Sequence, residues 1–154
     1  MKISILHLSD IHLKTGKNVV ISRVKKIFDA AKNELLGKDA VFILTSGDIA
    51  FSGKIEEYAI AKTMYNELAE SIEGYCKNLP YFVFVPGNHD CYFDESKEKV
   101  RGIVLKNFSQ NGFGDLNKET IDLCCEPIQN YYDFVKPKKD KWLSLTVLIL
   151  HGTP

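Results

Sequence analysis

Three short apolar runs, Ile3–Leu8, residues 41–44 and Tyr81–Val85, alternate with two stretches of helical spacing, and each run gives way to a polar cluster. The runs are rich in β-branched and aromatic residues and too short for helices, so they read as buried strands. Between the first two, Val20, Val24, Ile27, Phe28, Ala31 and Leu35 form the apolar stripe of an amphipathic helix, with Gly37 as its stop. Between the second and third, Tyr58, Ala61, Tyr65, Leu68, Ala69 and Ile72 supply another such face. That helix follows Gly53, and Gly74 and Pro80 bracket its end. Strand, helix, strand, helix, strand is the order of a parallel sheet with right-handed crossovers. Strands so continuously apolar predict a sheet covered on both faces.

The polar clusters are Ser9-Asp10-Ile11-His12, Ser46-Gly47-Asp48 and Gly87-Asn88-His89-Asp90. In open parallel sheets, ligands bind outside the carboxyl ends of the strands. Successive parallel strands therefore aim all three clusters at one edge. Carboxylate, imidazole and amide oxygen form a borderline-hard donor set, suited to manganese, iron or zinc. Asp10 and His12 can grip one ion in a tight turn, and Asn88 can add a neutral oxygen to a second. Asp48 has two carboxylate oxygens and can bridge both ions, offsetting the repulsion of dications ~3.5–4 Å apart. The glycines before Asp48 and Asn88 permit close backbone approach.

Asp10-Ile11-His12, Gly47-Asp48 and Gly87-Asn88-His89-Asp90 resemble the first three motifs of the calcineurin-like metallophosphoesterases. A lone D-x-H is weak; the ordered trio, each at a strand end, is strong. The likeness covers roughly the first 95 residues, including Gly47 to Gly53 and Glu56-Glu57-Tyr58. It implies an α/β fold, the N-terminal part of that family's sandwich, with a mostly parallel sheet, flanking helices and the second half truncated. It implies that Asp10 and His12 bind one metal, Asp48 bridges, and Asn88 binds the second. His89 is then a non-ligand beside the leaving oxygen, stabilising charge or donating a proton, and Asp90 orients the region. The implied reaction is hydrolysis of phosphate mono- or diesters by a hydroxide that two metals generate near neutral pH.

The family pattern also calls for a later histidine on the second metal and a Gly-His-x-His motif. Of four histidines, only His151 follows His89. His151 ends an expected strand and is assigned the first of those parts; no Gly-His-x-His follows. The expectation is one domain over residues 1–154, as a fragment or a natural short form. Such a chain would retain metal weakly, turn over slowly, and expose apolar surface that favours oligomers.

The remainder reads less sharply. Val100, Ile103, Val104 and Phe108 suggest a third helix, residues 111–115 a loop, and Pro127 the start of a helix carrying Ile128, Tyr131, Tyr132 and Val135. Residues 136–141 read as a solvated turn and 143–150 as a fourth strand. His7 reads as a satisfied core histidine, Cys91 as a small buried hydrophobe, and Tyr92 and Phe93 as core packing. The lysines at 136, 138, 139 and 141 read as a solvated loop.

Composition narrows the function. Apolar residues make up 45% and charged residues 26%, which excludes a disordered chain. Twenty basic residues balance 20 acidic ones, which argues against a long nucleic-acid footprint. A small phosphodiester such as a cyclic nucleotide is the favoured substrate, and a nuclease the runner-up. The alternative from another class is a catalytically dead module that binds a partner or ligand. There is no signal peptide or membrane span, so the expected location is the cytoplasm, with the four cysteines as free thiols.

Overall fold

The computed structural model describes residues 1–111, 117–136 and 143–146. Four strands form one sheet in the order β1-β2-β3-β4: β1 Ile3–Leu8, β2 Ala40–Ser46, β3 Tyr81–Val85 and β4 Leu143–Thr146. Every pairing is parallel. Helix α1 (Val24–Leu35) joins β1 to β2, and α2 (Ile55–Cys76) joins β2 to β3. Beyond β3 come α3 (Glu95–Asn111), α4 (Lys118–Cys125) and α5 (Gln129–Val135). This is the α/β arrangement expected of the N-terminal part of the calcineurin-like fold. The α2 helix runs through Gly74 and ends at Lys77, which takes the left-handed conformation at φ 63°. Among the described residues, no helix is long and apolar enough to cross a membrane.

The sheet is covered on one face. Val41, Ile43, Thr45, Phe82 and Phe84 are fully buried there. Tyr65 from α2 packs its ring against Phe82 and Phe84, and Phe134 from α5 packs against Phe84. Thr45, the polar member of that face, exchanges a hydrogen bond with the Tyr65 hydroxyl at 2.9 Å. The other face carries Ile3, Ile5, Phe42 and Tyr81; Ile5 is 65% exposed. No described element covers it.

Among the described residues the helices lie on one face only, and the reason is topological. Right-handed crossovers that always step the same way, 1 to 2 to 3 to 4, lay their helices on the same side. His7 falls on the open face, so it is an exposed histidine and not a core one. Its Nε2 lies 2.6 Å from the Ser46 hydroxyl.

Candidate metal centre

The strand ends are level. Leu8 pairs with Thr45, and Ser46 with Val85, so the chain leaves all three strands at one rim. Backbone pairing continues past the strands. Asp10 N–H donates to Gly47 O, His12 N–H to Asp48 O at 2.9 Å, and Leu13 N–H to Ile49 O at 2.9 Å; Gly47 N–H donates to Val85 O at 2.8 Å. Leu13, Ile49 and Ala50 are fully buried beneath this rim. Among the described residues, four non-glycine residues have positive φ, and three of them are Asp10 (53°), His12 (50°) and Asp48 (54°).

The side chains of His12, Asp48 and His89 converge. One donor atom from each lies within 4.8 Å of the others. His12 Nε2 sits 3.9 Å from Asp48 Oδ2 and 4.0 Å from Asp10 Oδ1. The His12 and His89 rings meet edge to face, 4.6 Å between centroids. Asp10 is exposed at the outer side of the group and accepts from the Ser9 hydroxyl. Asn88 is exposed on the rim, at the start of the 3₁₀ turn Asn88–Asp90. The residue type of His89 matters because its Nδ1 is 2.7 Å from Phe51 O. A carbonyl only accepts, so Nδ1 carries the proton, and in the neutral ring Nε2 keeps its lone pair.

Asp48 is held from behind. Its Oδ1 accepts the His89 N–H at 2.9 Å, which leaves Oδ2 toward His12. Gly87 makes this approach feasible: a Cβ there would lie 2.1 Å from Asp48 Oδ1 and 2.6 Å from its backbone nitrogen. Gly53 serves the same purpose on the next loop, where a Cβ would lie 2.5 Å from the backbone of Cys91 and Tyr92.

Asp90 is fully buried below the rim. Its carboxylate accepts N–H bonds from Gly87 (2.9 Å), Ala50 (3.0 Å) and Ile49 (3.4 Å), and an O–H bond from Tyr58 (3.1 Å). It thereby ties the loops after β2 and β3 to α2. Burial, and then the negative charge of Asp90, push the Tyr58 phenol far above its ordinary range, so Tyr58 remains a donor.

A divalent cation fits this arrangement. His12 Nε2 faces the carboxylates of Asp48 and Asp10, and carboxylate and imidazole are the donors such an ion takes. His151 lies outside the described residues. His89 stands within the ligand-spaced group, although the resemblance implies a non-ligand role.

Several supporting residues went unnoticed in the sequence. Glu57 is buried and accepts from Ser52 N–H, Ser52 Oγ and Lys54 N–H, closing the start of α2. A glutamate three residues into an apolar-striped helix is the signal that could have found it. Asn130 donates to Gly53 O at 2.8 Å, and Tyr92 N–H donates to Pro127 O at 2.7 Å. These bonds fasten the rim loops to the segment before β4. Tyr92 and Phe93, expected in the core, are 41% and 52% exposed. They follow the 3₁₀ turn out onto the rim, where the Arg101 guanidinium lies over the Phe93 ring.

The calcineurin-like phosphoesterase family model matches residues 3–154. An uncharacterized metallophosphoesterase-like protein of Bacillus subtilis (strain 168), YydB, is 27% identical over 135 residues, covering 87% of this chain. The chain spans 27% of that relative's length. With the match running through nearly every residue, and through each rim cluster, the chain belongs to the calcineurin-like phosphoesterase family.

Proposed function

We propose that this chain carries the catalytic rim of a metal-dependent phosphoesterase acting on small phosphate mono- or diesters. The observation that carries the reading is the meeting of His12, Asp48 and His89 within 4.8 Å, with His12 Nε2 facing the carboxylates of Asp48 and Asp10. Asp10, His12 and Asp48 would hold one divalent ion, and Asp48 with Asn88 and His151 would serve a second. When bound, such ions supply Lewis acidity, polarising phosphoryl oxygens and acidifying water near neutral pH. Manganese, iron and zinc all suit the donors.

The chain's own residues set the geometry. The Asp48 carboxylate is oriented by the His89 N–H on Oδ1, which keeps Oδ2 turned toward His12. The Phe51 carbonyl fixes the His89 tautomer, which places a free Nε2 to hold or move a proton at the leaving oxygen. Asp90 keeps the loop rigid from below. We take residues 1–154 as one domain, working in the cytoplasm. The open apolar sheet face supports self-association.

A second reading is binding without turnover, because three clustered donors suffice for one ion rather than two. Hydrolysis of a chromogenic phosphodiester and monoester with added manganese separates the two. Turnover lost in Asp48→Asn and His89→Ala is the enzyme's outcome. A folded protein that binds manganese yet hydrolyses neither ester in any metal is the binding module. Manganese affinity of His89→Ala assigns that histidine: unchanged affinity with lost turnover marks a proton-handling group, and weakened affinity marks a ligand.

A further inference from the structure

Beside the candidate centre lies a cleft of about 660 Å³, and His89 and Asn88 form one wall of it. That volume is in the range of small-ligand sites, ~300–1,000 Å³. Its other walls carry three aromatic rings, Phe51, Tyr92 and Phe93, all substantially exposed. Three large rings kept in water within one cleft cost hydrophobic free energy that burial elsewhere would recover.

The rings are held in place. Lys14 Nζ lies over the Phe51 ring, 3.8 Å from its centroid. The Arg101 guanidinium lies over Phe93 at 5.6 Å. Arg101 is itself buried, bonded to Leu123 O and Glu98. Phe51 and Phe93 thus each have a cation over the ring, and Phe51 also stands 5.7 Å from the His89 ring, which joins the aromatic wall to the rim. Tyr92 is anchored through its N–H to Pro127 O. A flat group entering here would meet rings already ordered, so little conformational entropy is lost on binding.

Charge restricts the occupant further. Asp94 and Glu95 stand in the same cleft, and Lys54 is its basic residue. Two carboxylates in the lining disfavour a second phosphate there, so a long polyanion is a poor fit.

We propose that Phe51, Tyr92 and Phe93 form a base-stacking subsite that selects a mononucleotide-type phosphoester, its single phosphate on the rim and its heterocycle in the cleft. This rests on the phosphoesterase reading for the phosphate half only; the heterocycle half stands on the rings.

The test is calorimetric titration of the full chain, with manganese present, by adenosine monophosphate, ribose phosphate and adenosine. Stacking on aromatic side chains gives the base roughly a 5- to 100-fold advantage. Adenosine monophosphate should therefore bind at least about fivefold tighter than ribose phosphate. The advantage should vanish in the double variant Tyr92→Ala, Phe93→Ala and return in Tyr92→Phe, Phe93→Tyr. Ribose phosphate affinity should be the same in all three. Equal binding of the two phosphates overturns the subsite, as does an adenosine preference that survives the double alanine variant. Failure of the phosphoesterase reading looks different: phosphate binding becomes indifferent to manganese and to Asp48→Asn, while adenosine still binds in a ring-dependent way. Adenosine binding that is absent, or unaffected by the ring substitutions, overturns the subsite independently.

Discussion

Replacing Gly87 by alanine adds one methyl group at the tightest point of the rim. Gly87 has an extended backbone, φ −110° and ψ −177°, which any residue adopts. The glycine is therefore required by space alone. The new Cβ would meet Asp48 Oδ1 at 2.1 Å, Asp48 N at 2.6 Å and Asp48 Cγ at 2.8 Å. A side-chain rotation would relieve the first and third contacts, but the backbone nitrogen cannot move away without shifting the loop after β2. Overpacking of this kind costs about 1–3 kcal/mol. Turning Asp48 also breaks its bond from the His89 N–H, and a hydrogen bond to a charged group contributes roughly 1.5–3 kcal/mol.

Together these give a destabilisation of about 2.5–6 kcal/mol, or a fall in Tm of roughly 5–24 °C for a chain of this size. Manganese affinity should fall with it, because Asp48 Oδ2 is no longer aimed at His12. Gly74→Ala is the internal control. It lies within α2, where a Cβ meets nothing within 4 Å. It should stabilise by about 0.5–1 kcal/mol through helix propensity and loss of unfolded-state freedom. Urea unfolding of both variants, with manganese titrations alongside, decides the matter. A Gly87→Ala protein as stable as the parent, with unchanged manganese affinity, would refute the close-approach reasoning.

Asp90→Ala removes the acceptor for three backbone N–H groups and the Tyr58 hydroxyl, and should cost at least about 3 kcal/mol. Tyr58→Phe removes one donor and should cost less, so urea midpoints in the reverse order would contradict the network. Manganese at about 100 times its dissociation constant should add about 2.7 kcal/mol of stability in thermal melts. That gain should vanish with chelator and in Asp48→Asn; a melt insensitive to manganese in the parent would tell against the centre. Burial pushes the Cys76 thiol up from its ordinary value, and its Sγ donates to Leu35 O, whereas Cys125 is exposed. A raised pKa means less thiolate at a given pH, so mass spectrometry should find Cys125 alkylated well ahead of Cys76 at neutral pH. The Cys76 rate should still be climbing with pH above the range where an ordinary thiol levels off.

The strands and the rim were legible because each apolar run stops abruptly at charged or amide residues. Burial and polarity change together at those positions, and a parallel sheet brings the changes to one edge. The open face was not legible. Ile3, Ile5 and Phe42 are as apolar as Ile43 and Phe82, and side-chain type does not report strand order, which decides where the helices lie. The same limit applies to Tyr92 and Phe93. Adjacent aromatic residues read as core, but two neighbours in an extended segment cannot both turn inward, and here the preceding turn carries both onto the rim. The Asp90 network was legible only as a polar residue near the site. That it reaches α2 depends on Tyr58 lying one helical turn into that helix, a fact of packing rather than of local sequence.

The clarity of the metal motifs has a second source in the backbone. Asp10, His12 and Asp48 all sit in the left-handed region, where a β-branched residue would suffer a clash between its side chain and its own carbonyl. Asparagine, aspartate and histidine are the non-glycine residues that enter this region most readily. The bond from His12 N–H to Asp48 O, at 2.9 Å, joins two of these residues and holds them against relaxation. The residue types at positions 10, 12 and 48 therefore satisfy two demands at once, donor chemistry and backbone strain. A position under both demands admits few substitutes. That restriction makes a short polar cluster after a strand so much more informative than its length suggests.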